Sequence, residues 1–598
     1  MQVNQQRKWH KRIFIGWIIL SMLIAILVFR LAWVQLVMKN QKPPGSKHTL
    51  LENSLLQRER GLVLDTGRGH FLDRNGIPLT GKLIWSAVLF PFGKGNEVTR
   101  NDSMLRVAHI LKTDQADLKK IWTGLKEPML WHDRGASIPL ALDSEQIKEI
   151  SALNFASIQV LPYEQRYGDQ DSGMQWLGYI SGQRQENMFY REYEGVKGTS
   201  GLERTLDTLL QGMGPTVVYF PVDGRNQINQ EMKPMVKAES NPYYPLKITT
   251  TVDYELQKRI EKLTEQAGMK EGAVVVLDAH NSDVLAMVSR PFYNPEKIHP
   301  QVGEWENKAL KGASPGSIFK IVTAAAALDN NLLSSKETFH CSGEYGKYGL
   351  SCWKKGGHGT ITVHQGFADS CNIVFASLAE RLTSGQITDT ALKLGLGRTI
   401  GWQAQNILGL PVLKPFDHEE SGAIFSNNMD PADSGARVQT AIGQRDTAVT
   451  PLQAANLIVT LLHHGETIRP RIIRQISYAN GQNVQTLDPM RGTTHEGVIS
   501  RETAHTLLNW MEEVVLNGTG RGLQHTIWKV AGKSGTAETI KKGHPRNNQW
   551  FVGYGPVQKP RYAVSVFVEN VTPNSKHDAT KLFGQVMDLL ASLESDEG

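Results

Sequence analysis

The chain has 598 residues, of which 40% are hydrophobic and 21% are charged. This length exceeds what one hydrophobic core usually supports, so the sequence predicts at least two folded units. The 65 basic and 59 acidic side chains leave a net charge of +6, which excludes the strongly basic surface of a nucleic-acid-binding protein in a chain of this size.

The first predicted element is a membrane-spanning helix over residues 13–37. Residues 13–29 are uncharged and mostly apolar, and the apolar pattern resumes after Arg30. The whole segment is long enough to cross the hydrocarbon layer as a helix. Basic residues precede this segment and no comparable cluster follows it, which predicts that residues 1–12 are cytoplasmic and the rest of the chain is outside. The alternative is a cleaved signal peptide, but the apolar stretch exceeds a usual signal-peptide core and no small-residue cleavage site follows.

Two regions of different character follow the predicted anchor. Residues 38–242 mix short patterns with Gly and Pro breaks and carry no cluster of catalytic residue types, which predicts a supporting platform. Residues 243–598 contain a hairpin pattern at 273–288, a long helix pattern starting at Ser317, and later strand patterns closed by an amphipathic helix over 578–593. This order predicts an α+β fold in which helices cover both faces of an antiparallel sheet.

The first candidate catalytic element is an S-x-x-K sequence at Ser317 and Lys320. Ser351 and Lys354 fit the same pattern, so the match alone is weak. Ser317 follows a Pro-Gly pair and opens the alanine-rich helix, where partial positive charge stabilises a developing anion. Lys320 lies one turn later and can act as a base for the serine hydroxyl if burial or a nearby cation lowers its pKa.

Two further motifs follow along the chain. Ser370 and Asn372 form an S-x-N triplet, a pattern that also begins at Ser426 by chance. Residues 533–536 read K-S-G-T, where a strand glycine would let a substrate backbone approach closely. Each motif alone is weak, but S-x-x-K, S-x-N and K-S-G-T in this order are typical of serine acyl-transferases.

The three cysteines lie in one stretch of the chain with a histidine among them. In an exported chain they could form a disulfide between Cys341 and Cys352, with Cys371 buried alone. Alternatively, the cysteines and the histidine provide the four ligands of a tetrahedral structural zinc site: Cys341, Cys352, His358 and Cys371.

The motifs resemble those of the class B penicillin-binding proteins, and the resemblance covers nearly the whole chain. Platform motifs similar to the pedestal of that family begin at Arg68 (R-G), Asp73 (D-R-N-G), Leu177 (L-G-Y) and Gly201 (G-L-E-R). Landmarks similar to its transpeptidase domain begin at Thr251 (T-V-D), Ala441 (A-I-G-Q), Thr450 (T-P-L-Q) and Trp550 (W-F-V-G-Y). Such a long collinear series is specific. The resemblance implies a penicillin-binding, serine β-lactamase-like transpeptidase fold behind a mixed pedestal domain.

The resemblance implies a peptidoglycan D,D-transpeptidase that cross-links stem peptides and is located in the cell membrane. Ser317 would attack the carbonyl between two terminal D-alanines, Lys320 would accept its proton, and D-alanine would leave. Ser370 would relay a proton to the leaving amine, steadied by Asn372 and Lys533. An amine of a neighbouring stem peptide would then resolve the acyl-enzyme into a cross-link.

The resemblance also assigns the substrate contacts. Ser534 and Thr536, on either side of Gly535, would hold the substrate carboxylate and backbone. The backbone amides of Ser317 and Thr536 would bind the oxyanion, which is often the largest contribution to the rate. β-Lactams resemble the D-alanyl-D-alanine end and are expected to trap Ser317 as a stable ester.

No cofactor is required for this chemistry, and a structural metal is expected on separate grounds. Some elongation-type members of the family are similar beside the S-x-N loop, where residues spaced like Cys352, His358 and Cys371 hold a metal. The resemblance therefore implies a zinc ion that braces the loop carrying Ser370 and Asn372.

Other functions share parts of the pattern. A β-lactamase would not need an uncleaved anchor and a large platform, and no local deacylating glutamate is evident in the sequence. A D,D-carboxypeptidase differs only in that water resolves the ester. A scaffold with an idle site is a third alternative, which the intact motifs disfavour. A single span with a pedestal nevertheless suits docking to a polytopic membrane glycan polymerase.

Overall fold

The amino-terminal element of the computed structural model is a long apolar helix. Helix α1 spans Gln2–Leu36. Its segment Trp9–Leu36 has a mean hydropathy of 2.5, and none of its apolar window is buried against the protein. At about 1.5 Å per residue the segment is long enough to cross a bilayer. This agrees with the predicted single-pass anchor.

Most of the chain is described by the structure. Met1 and most of residues 39–58 lie outside the described ranges, and so do parts of the predicted tail and platform. The described residues are 2–38, 41, 49, 59–91, 97–125, 127–134, 136, 138–155, 157–168, 172–181, 196–221, 235–238, 241–299, 301, 303–334, 337–492, 497–573 and 575–597.

The platform region is made of short strands and helices. Its strands are β1 (Glu59–Asp65), β2 (His70–Leu72), β3 (Thr80–Leu89), β4 (Met129–Leu130), β5 (Ile158–Tyr167), β6 (Ile180–Ser181), β7 (Lys197–Gly198), β8 (Thr216–Pro221) and β9 (Met235–Lys237). Its helices are α2 (Glu97–Ile110), α3 (Gln115–Gly124), α4 (Ser144–Ala152), α5 (Gly201–Thr205) and α6 (Asp207–Leu210). The strands form small antiparallel sheets in the orders β1-β8-β9 and β4-β3-β5, and β6 pairs with β7.

The region after residue 242, called the catalytic region below because it carries the predicted catalytic motifs, contains the longer strands. Its strands are β10 (Lys247–Thr250), β11 (Gly272–Asp278), β12 (Val284–Arg290), β13 (Thr338–Cys341), β14 (Gly359–Thr362), β15 (Ala404–Ile407), β16 (Leu410–Leu413), β17 (Ile468–Arg469), β18 (Ile473–Ser477), β19 (Asn483–Thr486), β20 (Met490–Arg491), β21 (Ala531–Lys541), β22 (His544–Gly555) and β23 (Tyr562–Val571). Its helices are α7 (Tyr254–Gln266), α8 (Lys320–Asp329), α9 (Val363–Ala368), α10 (Asn372–Arg381), α11 (Ser384–Lys393), α12 (Ser434–Ala441), α13 (Pro451–Leu462), α14 (Arg501–Leu516) and α15 (Asp578–Glu597).

The central sheet has the order β12-β11-β23-β22-β21, with every neighbouring pair antiparallel. Successive residues of β11 point to opposite faces. Val275 belongs to the core that contains the alanines of α8, whereas Val274 belongs to the core that contains Phe583 of α15. Helices therefore cover both faces of an antiparallel sheet, which confirms the predicted fold class.

The two regions share a sheet at their junction. Platform strand β2 pairs in parallel with β10, and β10 pairs on its other side with β18. Beside β2, the buried carboxylate of Glu203 accepts hydrogen bonds from Arg68 and Arg166, each at 2.7 Å. Arg166 also donates to the carbonyl of Gly69 at 2.7 Å. The platform motifs at Arg68 and Gly201 therefore contribute buried charges that hold β2 in place.

Candidate active site

Ser317 lies in a 3-10 turn, Gly316–Phe319, that leads into α8. The sequence predicted that the long helix begins at Ser317, but the α-helix begins at Lys320. The physical reason is a close contact with strand β21. Gly316 has a φ of +54°, and a β-carbon there would lie 2.3 Å from the carbonyl oxygen of Thr536. Glycine is therefore needed for the turn that brings the partly exposed Ser317 against β21.

Lys320 is fully buried, and its Nζ atom contacts the S-x-N loop. It donates to the Ser370 carbonyl and to Asn372 Oδ1, each at 2.7 Å, and lies 3.3 Å from Ser370 Oγ. Burial lowers the pKa of Lys320 to about 7, because the charged form loses its hydration. Among the described residues, Nζ forms no hydrogen bond to Ser317 Oγ. The Lys320 amine therefore contacts the S-x-N loop, and Lys320 lies one turn after Ser317 in the chain.

Lys533 is a second buried lysine at this site. Its Nζ atom donates to the Ser534 carbonyl at 3.1 Å and lies 5.7 Å from the centre of the Phe367 ring. Burial, followed by the positive charge of Lys320, lowers the pKa of Lys533 well below its ordinary value. It is therefore unfavourable for Lys320 and Lys533 to be positively charged at the same time in this buried site.

The S-x-N loop is held in a conformation that few side chains adopt. Ser370 is buried with a φ of +55°, and α10 begins at Asn372. Asn372 Nδ2 donates to the carbonyl of Ser351 at 3.0 Å. Ser351 and Lys354 are exposed, so the second S-x-x-K match lies beside the site and is a chance pattern.

The K-S-G-T motif lies on β21, an edge strand of the central sheet. Ser534 Oγ is 2.7 Å from Thr519 Oγ1, and Thr536 is exposed. Gly535 is predicted to leave room for a substrate backbone, and the structure adds a second reason for a glycine at this position. A β-carbon there would lie 2.7 Å from the carbonyl oxygen of Pro315, so only a glycine lets the turn Gly316–Phe319 lie against β21. We call this turn, which carries the predicted nucleophile Ser317, the nucleophile turn.

The structure brings the four predicted metal ligands together. Their ligand atoms all lie within 4.8 Å of one another, and the three cysteines are buried and free of disulfides. The group consists of Cys341 at the end of β13, Cys352 and His358 in the following loop, and Cys371 within the S-x-N motif.

The spacing of these ligand atoms fits a tetrahedral metal. The Sγ atoms of Cys352 and Cys371 are 3.9 Å apart, and His358 Nδ1 is 3.5 Å from the Sγ atoms of Cys341 and Cys352. Tetrahedral zinc, with bonds of about 2.3 Å to sulfur and about 2.0–2.1 Å to nitrogen, needs edges of about 3.5–3.8 Å. The contact between the two sulfurs lowers the pKa of Cys352 and raises the pKa of Cys371, so one member of the pair favours the thiolate that metals bind.

Two contacts of the motif residues were not predicted. Thr519 contacts Ser534, and His577 Nε2 lies 3.1 Å from the carbonyl oxygen of Gly535. Neither residue belongs to a recognisable motif. Thr519 lies 15 residues before Ser534 and His577 lies 42 residues after Gly535, so the sequence of the K-S-G-T motif itself carries no signal for either contact.

The sequence matches the models of two protein-family domains. The penicillin-binding protein transpeptidase domain matches residues 272–588, and the penicillin-binding protein dimerisation domain matches residues 64–233. The chain therefore belongs to the penicillin-binding proteins with a transpeptidase domain, and its fold is that transpeptidase fold behind a dimerisation-type pedestal.

Several relatives are similar over most of their length. Stage V sporulation protein D of Bacillus subtilis is 27% identical, with 92% of this chain and 81% of the relative covered. Peptidoglycan D,D-transpeptidase MrdA of Acinetobacter baumannii is 25% identical, with 95% and 86% covered.

Solved structures share the fold. One is a chain from a study of how a peptidoglycan synthase complex coordinates polymerization and crosslinking, with a TM-score of 0.65, 21% identity, and 97% of this chain and 98% of that chain covered. Another is a penicillin-binding protein from Helicobacter pylori, with a TM-score of 0.59, 20% identity, and 89% and 99% covered.

Proposed function

We propose that the chain is a peptidoglycan D,D-transpeptidase that forms an acyl-enzyme on Ser317 and releases D-alanine. One observation carries this proposal. Lys320 is buried one turn after Ser317, its pKa is lowered to about 7, and its amine contacts Ser370 and Asn372 beside the K-S-G-T strand. A lysine that is neutral near physiological pH is the base that a serine nucleophile needs. The names of relatives such as MrdA support the same activity.

Each residue has a role in this mechanism. Lys320 takes the proton as Ser317 Oγ attacks the carbonyl of the penultimate D-alanine, and the C–N bond to the last D-alanine then breaks. Ser370 passes a proton to the leaving amine, and Asn372 and Lys533 orient it. The amine of a second stem peptide then attacks the ester, forms the cross-link and frees Ser317.

The substrate contacts come from β21. Ser534 and Thr536 hold the terminal carboxylate and backbone of the stem peptide. The amides of Ser317 and Thr536 hold the oxyanion, because the nucleophile turn lies directly against the strand at Gly535. β-Lactams bind to the same groups and acylate Ser317.

The placement in the membrane belongs to the same proposal. Residues 1–12 are cytoplasmic, 13–37 span the membrane, and the pedestal (38–242) and the transpeptidase domain (243–598) are outside. Basic residues before the span support this orientation. The likeness to a chain from a peptidoglycan synthase complex supports a membrane glycan polymerase as partner.

The cysteine cluster is proposed to hold a structural zinc ion. Bound zinc would supply a rigid crosslink between the loop after β13 and the S-x-N motif, because Cys371 lies between Ser370 and Asn372. Trp353 Nε1 donates to the carbonyl of Asp369 at 3.0 Å, so the same loop also holds the other side of Ser370. The chemistry itself is carried by Ser317, Lys320 and their neighbours.

The proposed activity is tested with a fluorescent penicillin. Membranes that contain the intact chain are expected to show covalent label, and Ser317→Ala is expected to show none. Ser351→Ala is the matched control, because it alters the serine of the second S-x-x-K sequence and should label normally. An unlabelled intact chain would refute the proposal. With stem peptides supplied, cross-linked dimers support transpeptidation, whereas release of D-alanine alone supports a carboxypeptidase.

The zinc proposal is tested by metal analysis of the purified chain. We expect about one zinc per chain in the intact protein and in Ser351→Ala, and loss of zinc in Cys352→Ser. A disulfide between Cys341 and Cys352 in a chain without metal would contradict the proposal and leave the labelling result unaffected.

A further inference from the structure

His577 precedes α15 and contacts the strand that carries the K-S-G-T motif. Its Nε2 atom is 3.1 Å from the carbonyl oxygen of Gly535. Its Nδ1 atom is 2.7 Å from Thr580 Oγ1 and 3.3 Å from the backbone nitrogen of Thr580. A carbonyl only accepts and a backbone N–H only donates, so Nε2 carries the proton and Nδ1 accepts. The contacts therefore fix both the tautomer and the orientation of the ring.

The neutral ring is the stable form at this position. Burial lowers the pKa of His577, and the hydrogen bond to Gly535 opposes this shift only in part. Protonation would also put a second N–H on Nδ1, facing the Thr580 donor. The imidazole therefore stays a single donor directed at Gly535.

The peptide that His577 contacts also forms part of the proposed oxyanion site. The Gly535 carbonyl and the Thr536 N–H belong to one planar peptide and point in opposite directions. A β-carbon on Gly316 would lie 2.3 Å from the Thr536 carbonyl, so that carbonyl faces the nucleophile turn. In an antiparallel strand the N–H and C=O of one residue point the same way, so the Thr536 N–H also faces Ser317.

We propose that His577 is a positioning residue of the oxyanion hole: by donating to the Gly535 carbonyl it orients and polarises the peptide whose Thr536 N–H binds the oxyanion. This inference rests on the proposed function. A donor on the carbonyl oxygen draws electron density from the amide nitrogen, which makes its N–H a stronger donor. The gain is greatest when negative charge develops on the bound carbonyl oxygen. His577 itself touches no reacting atom.

The test compares variants of the full-length chain in detergent. His577→Phe keeps a ring but has no N–H donor, and His577→Gln keeps a donor. Ser575→Ala is the control, because it alters the same segment at a side chain that contacts Gln549 and not Gly535. The measurements are the acylation rate constant at saturating β-lactam, the apparent affinity before acylation, the thermal midpoint, and the infrared carbonyl stretch of the acyl-enzyme.

We expect His577→Phe to acylate about tenfold more slowly, with little change in affinity. This reduction in rate is smaller than the one caused by removing an oxyanion donor itself. Its ester carbonyl band should move to higher frequency, since a weaker donor polarises the carbonyl less. His577→Gln should recover most of the rate, and Ser575→Ala should match the parent chain. A role confined to stability would lower the thermal midpoint without moving the carbonyl band.

Each outcome decides the question. A folded His577→Phe with the parent rate and an unmoved carbonyl band overturns the inference and leaves the proposed function intact. If that variant does not fold, His577→Ala is measured by the same criteria, and destabilisation without a band shift in the folded fraction also overturns it. A parent chain that β-lactams do not acylate refutes the proposed function, and this inference with it.

Discussion

Lys320 and Lys533 are two lysines buried in one site, and neither is ion-paired there with a carboxylate among the described residues. Each loses the hydration that would stabilise its charged form, and the charge of Lys320 opposes protonation of Lys533. A large fraction of the Lys320 amine, one turn from Ser317, is therefore uncharged near pH 7, where an ordinary lysine is fully protonated. Its protonation state should govern the rate of the first chemical step.

Acylation is predicted to follow the titration of Lys320. Only the neutral amine accepts a proton, and its pKa lies near 7, so the rate should rise between about pH 6 and pH 8 and then level off. The second-order rate constant for a β-lactam, measured across this range, checks the prediction. Lys320→Arg should acylate very slowly at every pH, because a guanidinium does not deprotonate. A parent rate that still climbs steeply above about pH 9 would show that Lys320 keeps an ordinary pKa.

Among the secondary elements, those formed by regular patterns were the most predictable. The hairpin of β11 and β12, strand β23 and the start of α15 at Asp578 match their predicted positions, because their apolar spacing follows the structure directly. The start of the nucleophile helix was misplaced. The 3-10 turn at Gly316 arises from contact with Thr536, more than two hundred residues away in sequence, and local patterns carry no information about that contact.

The residues of the candidate site also differ in whether the local sequence could predict them. Its motif residues were predictable because each lies in a short recognisable sequence, as Ser370 and Asn372 do. His577 was not, because its contact with Gly535 depends on how the terminal helix packs behind β21. The cysteine cluster was predictable as a set, since its members are close in sequence, but the choice between a disulfide and free thiols needed their positions in space.

The contact between β21 and the nucleophile turn is predicted to be intolerant of added volume. In Gly535→Ala the new methyl group would lie 2.7 Å from the Pro315 carbonyl and 3.0 Å from Ile318 Cγ2, so the strand and the turn must separate. We expect a loss of about 1–3 kcal/mol in stability and a larger fall in acylation rate, measured by thermal unfolding and β-lactam kinetics. Gly522→Ala is the control, because nothing lies within 4 Å of its β-carbon position. Equal effects of the two substitutions would contradict the packing argument.

Across the whole molecule, the platform and the catalytic region are joined by strand β2 on β10, with buried charges beside that junction. Glu203 is fully buried and forms ion pairs with two buried guanidinium groups, those of Arg68 and Arg166. Arg68 also contacts Asp207 at 2.8 Å. The platform motifs therefore stabilise the surface on which the catalytic region packs.

Removal of the Glu203 carboxylate is predicted to weaken this junction. Glu203→Ala leaves two buried cations without their shared partner, and a broken buried ion pair costs about 3–5 kcal/mol. The thermal midpoint of the detergent-solubilised chain should fall clearly, and the fraction that a fluorescent penicillin labels should fall with it on warming. Glu466→Ala is the matched control, since its partner Arg491 is 73% exposed and water replaces that pair at little cost. If both variants have the same thermal midpoint as the parent chain, the buried charges do not hold β2 against β10.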